Sequence, residues 1–458
     1  MNAIAASILI VLMAIVFWAP RRWAVVGMMA GVLYLTNKQS INLVGFNLFA
    51  IRFLELAGFA RIMQRKEFSF SKLNGIDRVF LWLYAYSTLV FLLRSNTGQA
   101  YAIGMMVDAT LCYFTFRALI ISTDDLKWFL GVFAILLFPY VALVSIEMLT
   151  HNNPFSLIGG LSFVEREGRL RCMGTFGHPS LLGGALGASF IPLYMALFLV
   201  GNHRLSAVSG MGLCLGIVFL SNSGGPICAT ALGLISWFFW IVRARMSLIR
   251  LILSCSIIIM GLIMKAPIWY LVAKVSSFSG GDGWHRSYLM DISFQNISLW
   301  WLAGMDLKLT ANWFPYQIEA TGAADITNEF LAFGLDAGIV SMALFIFLLV
   351  RVFQAIGQAL NVVRSAGGEV KEAEYLLWGL GCTLVVHIST WLGITYNFDQ
   401  SYVIWFMQLA AISSVSQQCA ISSLSPEVIE AKLQPATKSS LKNIKYSIYK
   451  TKRNPAEL

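Results

Sequence analysis

The chain has 458 residues, of which 58% are hydrophobic and only 12% charged, with a mean hydropathy of +0.71. A soluble domain carries about 25% charged residues, so a soluble globular protein and a disordered chain are both excluded. The formal net charge of +10 points to loops at a membrane surface rather than to nucleic acid, as its distribution shows.

The remaining class is a chain whose solvent is mostly lipid. Crossing ~30 Å of hydrocarbon takes roughly 20 helical residues, against about 9–11 for a barrel strand. The apolar runs match the helical length. The expected fold is all-α, a polytopic transmembrane bundle of 12 to 13 helices with a long, partly helical periplasmic loop. In chain order, helices are expected at 3–19, 23–36, 41–60, 79–93, 101–121, 128–149, 179–200, 205–221, 226–242, 250–272, 330–352, 375–396 and 401–421. Residues 23–36 are short for a span. The stretch 41–60 contains Arg52 and Glu55, which suits a partly interfacial helix.

Charge sets the orientation. A cleavable signal peptide carries positive charge before its apolar core. Here residues 1–19 have none, and Arg21 and Arg22 follow. Placing the N-terminus outside assigns 23 Lys/Arg to cytoplasmic segments and nine to outer ones, the bias that the positive-inside rule requires. The organisation is then N-terminal helices 1–149, a first periplasmic loop 150–178, central helices 179–272, a large periplasmic loop 273–329, C-terminal helices 330–421 and a basic tail 422–458. The tail suits an anionic inner surface or disorder. Of the seven cysteines only Cys172 falls in an outer loop, which excludes a disulfide framework there, and none has CxxC spacing. His151, His203 and His387 are isolated and no Walker-type loop is present, so neither metal nor other cofactor is expected, and no nucleic-acid partner.

Four outer segments carry chemistry. The first is Arg169-Leu-Arg171-Cys-Met-Gly-Thr-Phe-Gly-His178-Pro179, ahead of the seventh helix. Guanidinium groups bind phosphate oxygens as planar forks, and a helix N-terminus with the amides of Gly174 and Gly177 favours anions. This is a cradle for a diphosphate; the bland alternative is contact of Arg166, Arg169 and Arg171 with lipid phosphates. The second is His285-Arg286, which either completes that cradle or pairs with Asp282, Asp291, Asp306, Glu319 or Asp325. The third is Asp325-Ile-Thr327-Asn328-Glu329. These are helix-capping residues that also offer an acceptor site, with Asp325 or Glu329 as base. The fourth, Ser221-Asn222-Ser223-Gly224-Gly225-Pro226, suits a tight turn with Pro226 at the first helical position. Small residues at Gly183-Gly184-Ala185-Leu186-Gly187 and at Gly212 and Gly216 suit close helix packing. In the large loop, Leu289, Ile292, Asn296 and Trp300 fall at helical spacing, and Trp284, Trp300, Trp301 and Trp313 suit a membrane interface. A helix lying along the outer leaflet is expected there.

In order and spacing, the segments RLRCMGTFGHPSLLGGALGASFIPLY (169–194), FLSNSGGP (219–226), HRSYLMDISFQNISLWWLAG (285–304) and DITNEFLAFGLDAGIVSMALFIF (325–347) resemble the O-antigen ligase and polymerase superfamily of bacterial envelope glycosyltransferases. The resemblance covers about 160–350. It implies a protein of the bacterial inner membrane that takes a glycan from undecaprenyl diphosphate at the periplasmic face. It moves that glycan to a sugar hydroxyl on a glycan or lipid-glycan acceptor, alongside membrane lipids and other polysaccharide assembly proteins. By the same resemblance Arg171 (or Arg169) and Arg286 match the family arginines that engage the diphosphate; from the residues themselves Asp325 and Glu329 join Arg286 and Arg171 as catalytic candidates, and Arg169, His178, His285, Thr327 and Asn328 are expected to bind substrate. One departure is plain: ligases commonly have His-Asn where this chain has Thr327-Asn328, and that His is the usual base. Asp325, Glu329 or His285 then stand in, or base catalysis is dispensable. The turn Ser223-Gly224-Gly225 also lacks the Arg of the matching ligase segment. Two other classes compete: a transporter or flippase of lipid-linked or anionic substrates, and a scaffold for polysaccharide assembly.

Overall fold

The computed structural model describes all residues except 44–45, 96, 161–163, 167, 272, 275–282, 315–321, 366–370, 397–398 and 423–458. Asp282, Glu319 and the basic tail from 423 onward lie outside the described residues. The fold is an all-α bundle with fifteen helices among the described residues. They are α1 (Ala3–Trp18), α2 (Arg21–Tyr34), α3 (Ala50–Gln64), α4 (Gly75–Arg94), α5 (Gln99–Leu119), α6 (Thr123–Thr150), α7 (Pro179–Val200), α8 (Arg204–Leu220), α9 (Gly224–Phe238), α10 (Met246–Ile263), α11 (Gly283–Gln295), α12 (Ile297–Trp300), α13 (Glu329–Ser365), α14 (Lys371–Trp391) and α15 (Ser401–Ser422). Among the described residues, six helical stretches are long and apolar enough to cross a membrane: α4, α5, α6, α7, Gly224–Ile263 and α13.

Each of the thirteen expected helices has a counterpart, but several bounds differ: the helix expected at 250–272 ends at Ile263, the one expected at 330–352 runs on to Ser365, and the one expected from 41 starts later. Residues 41–43 and 46–49 are not helical. Ser40–Leu43 (β1) and Phe46–Phe49 (β2) pair antiparallel, with Ser40 opposite Phe49 and Leu43 opposite Phe46. The polar–apolar alternation Ser40-Ile41-Asn42-Leu43 has the strand period of two, which a count of apolar residues overlooks. Helix α3 starts only at Ala50, whose N–H bonds the Gln39 carbonyl at 2.9 Å. A second hairpin joins Val164–Arg166 (β3) to Arg169–Arg171 (β4).

Burial is arranged for lipid. Helix α15 is rich in Ser and Gln, yet it is buried on nearly every side and packs on α2, α5, α13 and α14. Its Gln408 donates to Ser189 Oγ (3.0 Å), Ser413 donates to Asp77 (3.2 Å) and Ser414 accepts from Arg117 (2.8 Å). Helix α10 is the opposite case: it is mostly apolar, with Arg250 and three serines, and none of its residues is buried. A helix keeps polar groups inside and apolar groups outside only where the outside is hydrocarbon.

The segments assigned to one side meet at one end. Arg21 and Arg22 both pair with Asp125 at 2.8 Å, Lys127 with Glu372 at 2.8 Å, and Arg243 and Arg364 with Glu374 at 3.3 and 2.6 Å. This is the basic end. At the other end, Asn2 bonds the Leu157 carbonyl (2.6 Å) and both long loops gather; this is the loop end.

The large loop departs from expectation in where it buries its tryptophans. Trp284 and Trp301 are exposed, but Trp300 and Trp313 are buried with Leu289, Phe314, Leu331 and Leu335 in a small core of their own. The apolar stripe of α11 and α12 therefore packs on protein rather than along a leaflet. The loop is stitched into a break in α13 at Ala337–Gly338: Met305 N–H bonds the Leu335 carbonyl and Ile339 N–H the Trp301 carbonyl, both at 2.8 Å. Gly304 (φ +72°) makes this stitch possible, because a Cβ there would run into the Leu335 and Asp336 carbonyls. Gly201 also has a positive φ, +95°, with nothing within 4 Å of the added carbon. Gly201→Ala should therefore cost only backbone strain, about 1–3 kcal/mol, with no clash. Gly304→Ala should lower the unfolding midpoint in detergent by several times as much; equal shifts for the two variants would refute the stitch.

Candidate functional site

The first motif is a tethered loop. Arg169 is exposed on β4, while Arg171 turns inward and donates from Nη2 to Ser223 Oγ at 2.9 Å. Cys172 N–H bonds the Leu220 carbonyl (3.2 Å) and Asn222 Nδ2 the Leu170 carbonyl (3.0 Å), which locks β4 to the α8–α9 turn. Two carboxylates then take up the amides that follow. Glu147, at the end of α6, accepts Met173 N–H and Gly174 N–H at 2.9 Å each. Asp399 accepts Gly177 N–H at 2.6 Å and Ser401 N–H at 2.9 Å. The expectation that the amides of Gly174 and Gly177 cradle a diphosphate is therefore corrected: the protein's own carboxylates already occupy them. His178 acts as a helix cap, its Nδ1 accepting Ser180 N–H at 3.0 Å, which places its proton on Nε2.

Behind this loop α7 opens into a π-helical segment, Leu182–Ala188. Its glycines allow close packing as expected. A Cβ at Gly183 would meet Pro226 at 2.7 Å, and one at Gly184 would meet Thr390 at 2.7 Å. The α8–α9 turn is also close to expectation, except that α9 starts at Gly224 and Pro226 stands third in the helix rather than first.

The second motif rides on α11. The His285 ring stacks on Phe314 with centroids 4.6 Å apart and planes 9° apart. Arg286 donates from Nε to the Gly393 carbonyl at 3.1 Å, and its Cζ would stand 3.1 Å from a Cβ at Gly393. The guanidinium lines a cavity of about 200 Å³ together with Ser180, Gly225, Pro226, Thr390 and Gly393. Elements α7, α9, α11 and α14 thus share one recess.

The third motif separates into distinct roles. Asn328 caps α13, accepting Leu331 N–H at 3.0 Å. Thr327 N–H bonds the Asp325 carbonyl at 3.1 Å. Glu329 is buried and accepts Tyr396 N–H at 2.8 Å, which makes it a backbone anchor. Asp325 is exposed and is not one of the residues that line the cavity. The protein mass around it raises its carboxyl above the ordinary value, and the charges of His285 and Arg286 pull it back down. Asp325 is therefore the acid that stands with the two candidate cations. Asp291 and Asp306 are committed elsewhere, to Gln295 (3.0 Å) and to Lys308 N–H (3.0 Å).

Three features escaped the sequence reading. The described residues of the connection after α14 touch three of the four motifs: Gly393 takes Arg286, Tyr396 holds Glu329, Asp399 holds Gly177, and Gln400 donates to the Thr175 carbonyl at 3.3 Å. Its signal was Asp399-Gln-Ser401 before an apolar run, a helix start. Glu147 was visible as a carboxylate near the end of an otherwise apolar helix. Ser180 gave no signal beyond its place after Pro179.

Burial and the nearby Glu147 charge push the Cys172 thiol up to about 12. Only the thiolate reacts at an appreciable rate. N-Ethylmaleimide at pH 7.5 should leave Cys172 unmodified in the folded protein and label it after denaturation, as read by peptide mass spectrometry. Labelling without denaturant would contradict the burial.

Compared with known protein families and with curated proteins, the chain matches no family model and no curated protein.

Proposed function

We propose that the protein is a membrane glycosyltransferase of the polysaccharide polymerase or ligase type, which transfers a glycan from a polyprenyl diphosphate to an acceptor sugar at the periplasmic face of the bacterial inner membrane. The observation that carries this reading is the convergence at the loop end. Arg286 lines a cavity between α7, α9 and α14, and Asp325 stands within electrostatic reach of His285 and Arg286.

A phosphoanhydride-linked sugar is already activated, so the protein has to hold a leaving group and position an acceptor. In the step proposed, an acceptor hydroxyl oxygen attacks the anomeric carbon. The bond from that carbon to the diphosphate oxygen breaks, and its electron pair stays on the diphosphate beside Arg286. The hydroxyl proton passes to the Asp325 carboxylate. Direct displacement of this kind inverts the anomeric carbon. Thr327 has no basic group, and Glu329 is tied to Tyr396 N–H; both facts favour Asp325 as the acceptor of that proton.

Purified protein with a lipid-linked oligosaccharide, followed by gel or mass spectrometry, tests this. Longer glycan still on the lipid diphosphate identifies a polymerase, and glycan moved to an added acceptor identifies a ligase. Arg286→Ala should lower product formation by about 10²–10³-fold with normal membrane insertion; unchanged product would refute the reading. A raised Asp325 carboxyl protonates at a higher pH than a free aspartate. Activity should therefore fall on the acid side, starting above the ordinary aspartate range, and Asp325→Asn should lose most activity together with that acid limb.

A second reading, a transporter, draws on one cluster inside the bundle. Arg52 forms a two-pronged pair with Asp108 at 2.7 Å, and the buried Glu55 accepts from Tyr402 at 2.9 Å. Ionisable groups at such depth mark transport paths in many membrane proteins. Movement of labelled lipid-linked glycan across proteoliposomes that survives Arg286→Ala and is lost in Asp108→Asn would favour it.

A further inference from the structure

Arg171 is not among the side chains that line the cavity, but two hydroxyls connect it to the wall. Arginine only donates, so Ser223 Oγ accepts from Arg171 Nη2 at 2.9 Å. Ser223 Oγ in turn lies 2.9 Å from Ser180 Oγ, and both serines are buried. The cationic N–H on one side of Ser223 turns its hydroxyl hydrogen to the other side, toward Ser180. Ser180 Oγ then accepts, and its own hydrogen points away from Ser223. Ser180 lines the cavity whose wall also carries Arg286, and much of the remaining wall is apolar, with Leu232, Leu271, Leu392 and Ile394. In such surroundings a hydrogen-bond chain that begins on a cation strengthens its last donor.

We propose that Arg171 and Ser223 are positioning residues that aim the Ser180 hydroxyl into the cavity as an oxyanion donor for the diphosphate headgroup beside Arg286. This rests on the glycan-transfer reading above. Arg171 then acts on the substrate through Ser180 rather than by direct contact, and the amides of Gly174 and Gly177, bound to Glu147 and Asp399 respectively, take no part.

The test compares binding of farnesyl diphosphate and farnesol to the purified protein in nanodiscs. Wild type should prefer the diphosphate. Ser180→Ala and Ser223→Ala should each cut that preference roughly tenfold, the scale of one hydrogen bond to a charged group. The double variant should lose no more than either single one, because all three forms lack the same aimed donor. Ser180→Thr, which keeps the hydroxyl, should restore most of the preference. Unfolding midpoints identify any variant that fails to fold, and a purely structural role would weaken both ligands alike. Full preference in Ser180→Ala, or losses that multiply in the double variant, would overturn the relay; if Arg286→Ala still abolished the preference, the donor reading would stand. No preference in wild type would overturn the donor reading and the relay with it.

Discussion

The structure at the loop end depends on carboxylates that accept main-chain N–H groups. Loops that dip toward hydrocarbon lose the water that would otherwise satisfy their backbone, so the protein has to supply the partners. Glu147 takes two amides of the 169–180 loop, Asp399 takes one more and caps α15, and Glu329 takes Tyr396. Bonds of this charge-assisted kind contribute about 1.5–3 kcal/mol each. They fix three separate chain segments to one another around the connection 392–400.

That anchoring decides which charges remain for chemistry. Glu329, Glu147 and Asp399 are committed to the backbone, and Arg171 is turned onto Ser223. Arg286, which lines the cavity, and the exposed Asp325 are placed differently, on a helix and a strandless segment that the small core around Trp300 holds against α13. The glycine contacts serve the same end. Gly393 admits the Arg286 guanidinium, Gly184 admits Thr390, and Ser180, just ahead of the π-helical segment of α7, lines the wall. A π-helical turn is a strained departure that recurs at functional sites.

The rest of the bundle follows from inverted solvent. Polar side chains of α15 point inward because only other helices can satisfy them, and the apolar surface of α10 faces out because lipid accepts it. The ion pairs of the basic end draw together α2, α6, α13, α14 and the stretch that follows α9. The two ends therefore have different tasks: paired charge and closure at one, anchored loops and a recess at the other.

The sequence by itself determined the helices and the segments that bear chemistry. Run length, hydropathy and capping residues act within a few turns of chain, so thirteen helices, the Asn328 cap and the small-residue contacts of α7 were legible there. The hairpin at 40–49 was missed because strand alternation and a short apolar run carry similar composition. Only the tertiary structure decided that Gly177 belongs to Asp399, 222 residues away, that Arg171 stands behind Ser223, and that Trp300 and Trp313 pack on protein instead of lipid. Those outcomes depend on which surfaces meet after the helices assemble. A hydrogen-bond donor in a loop is satisfied by whichever acceptor packing brings within 3 Å, and no local pattern of residues encodes that choice.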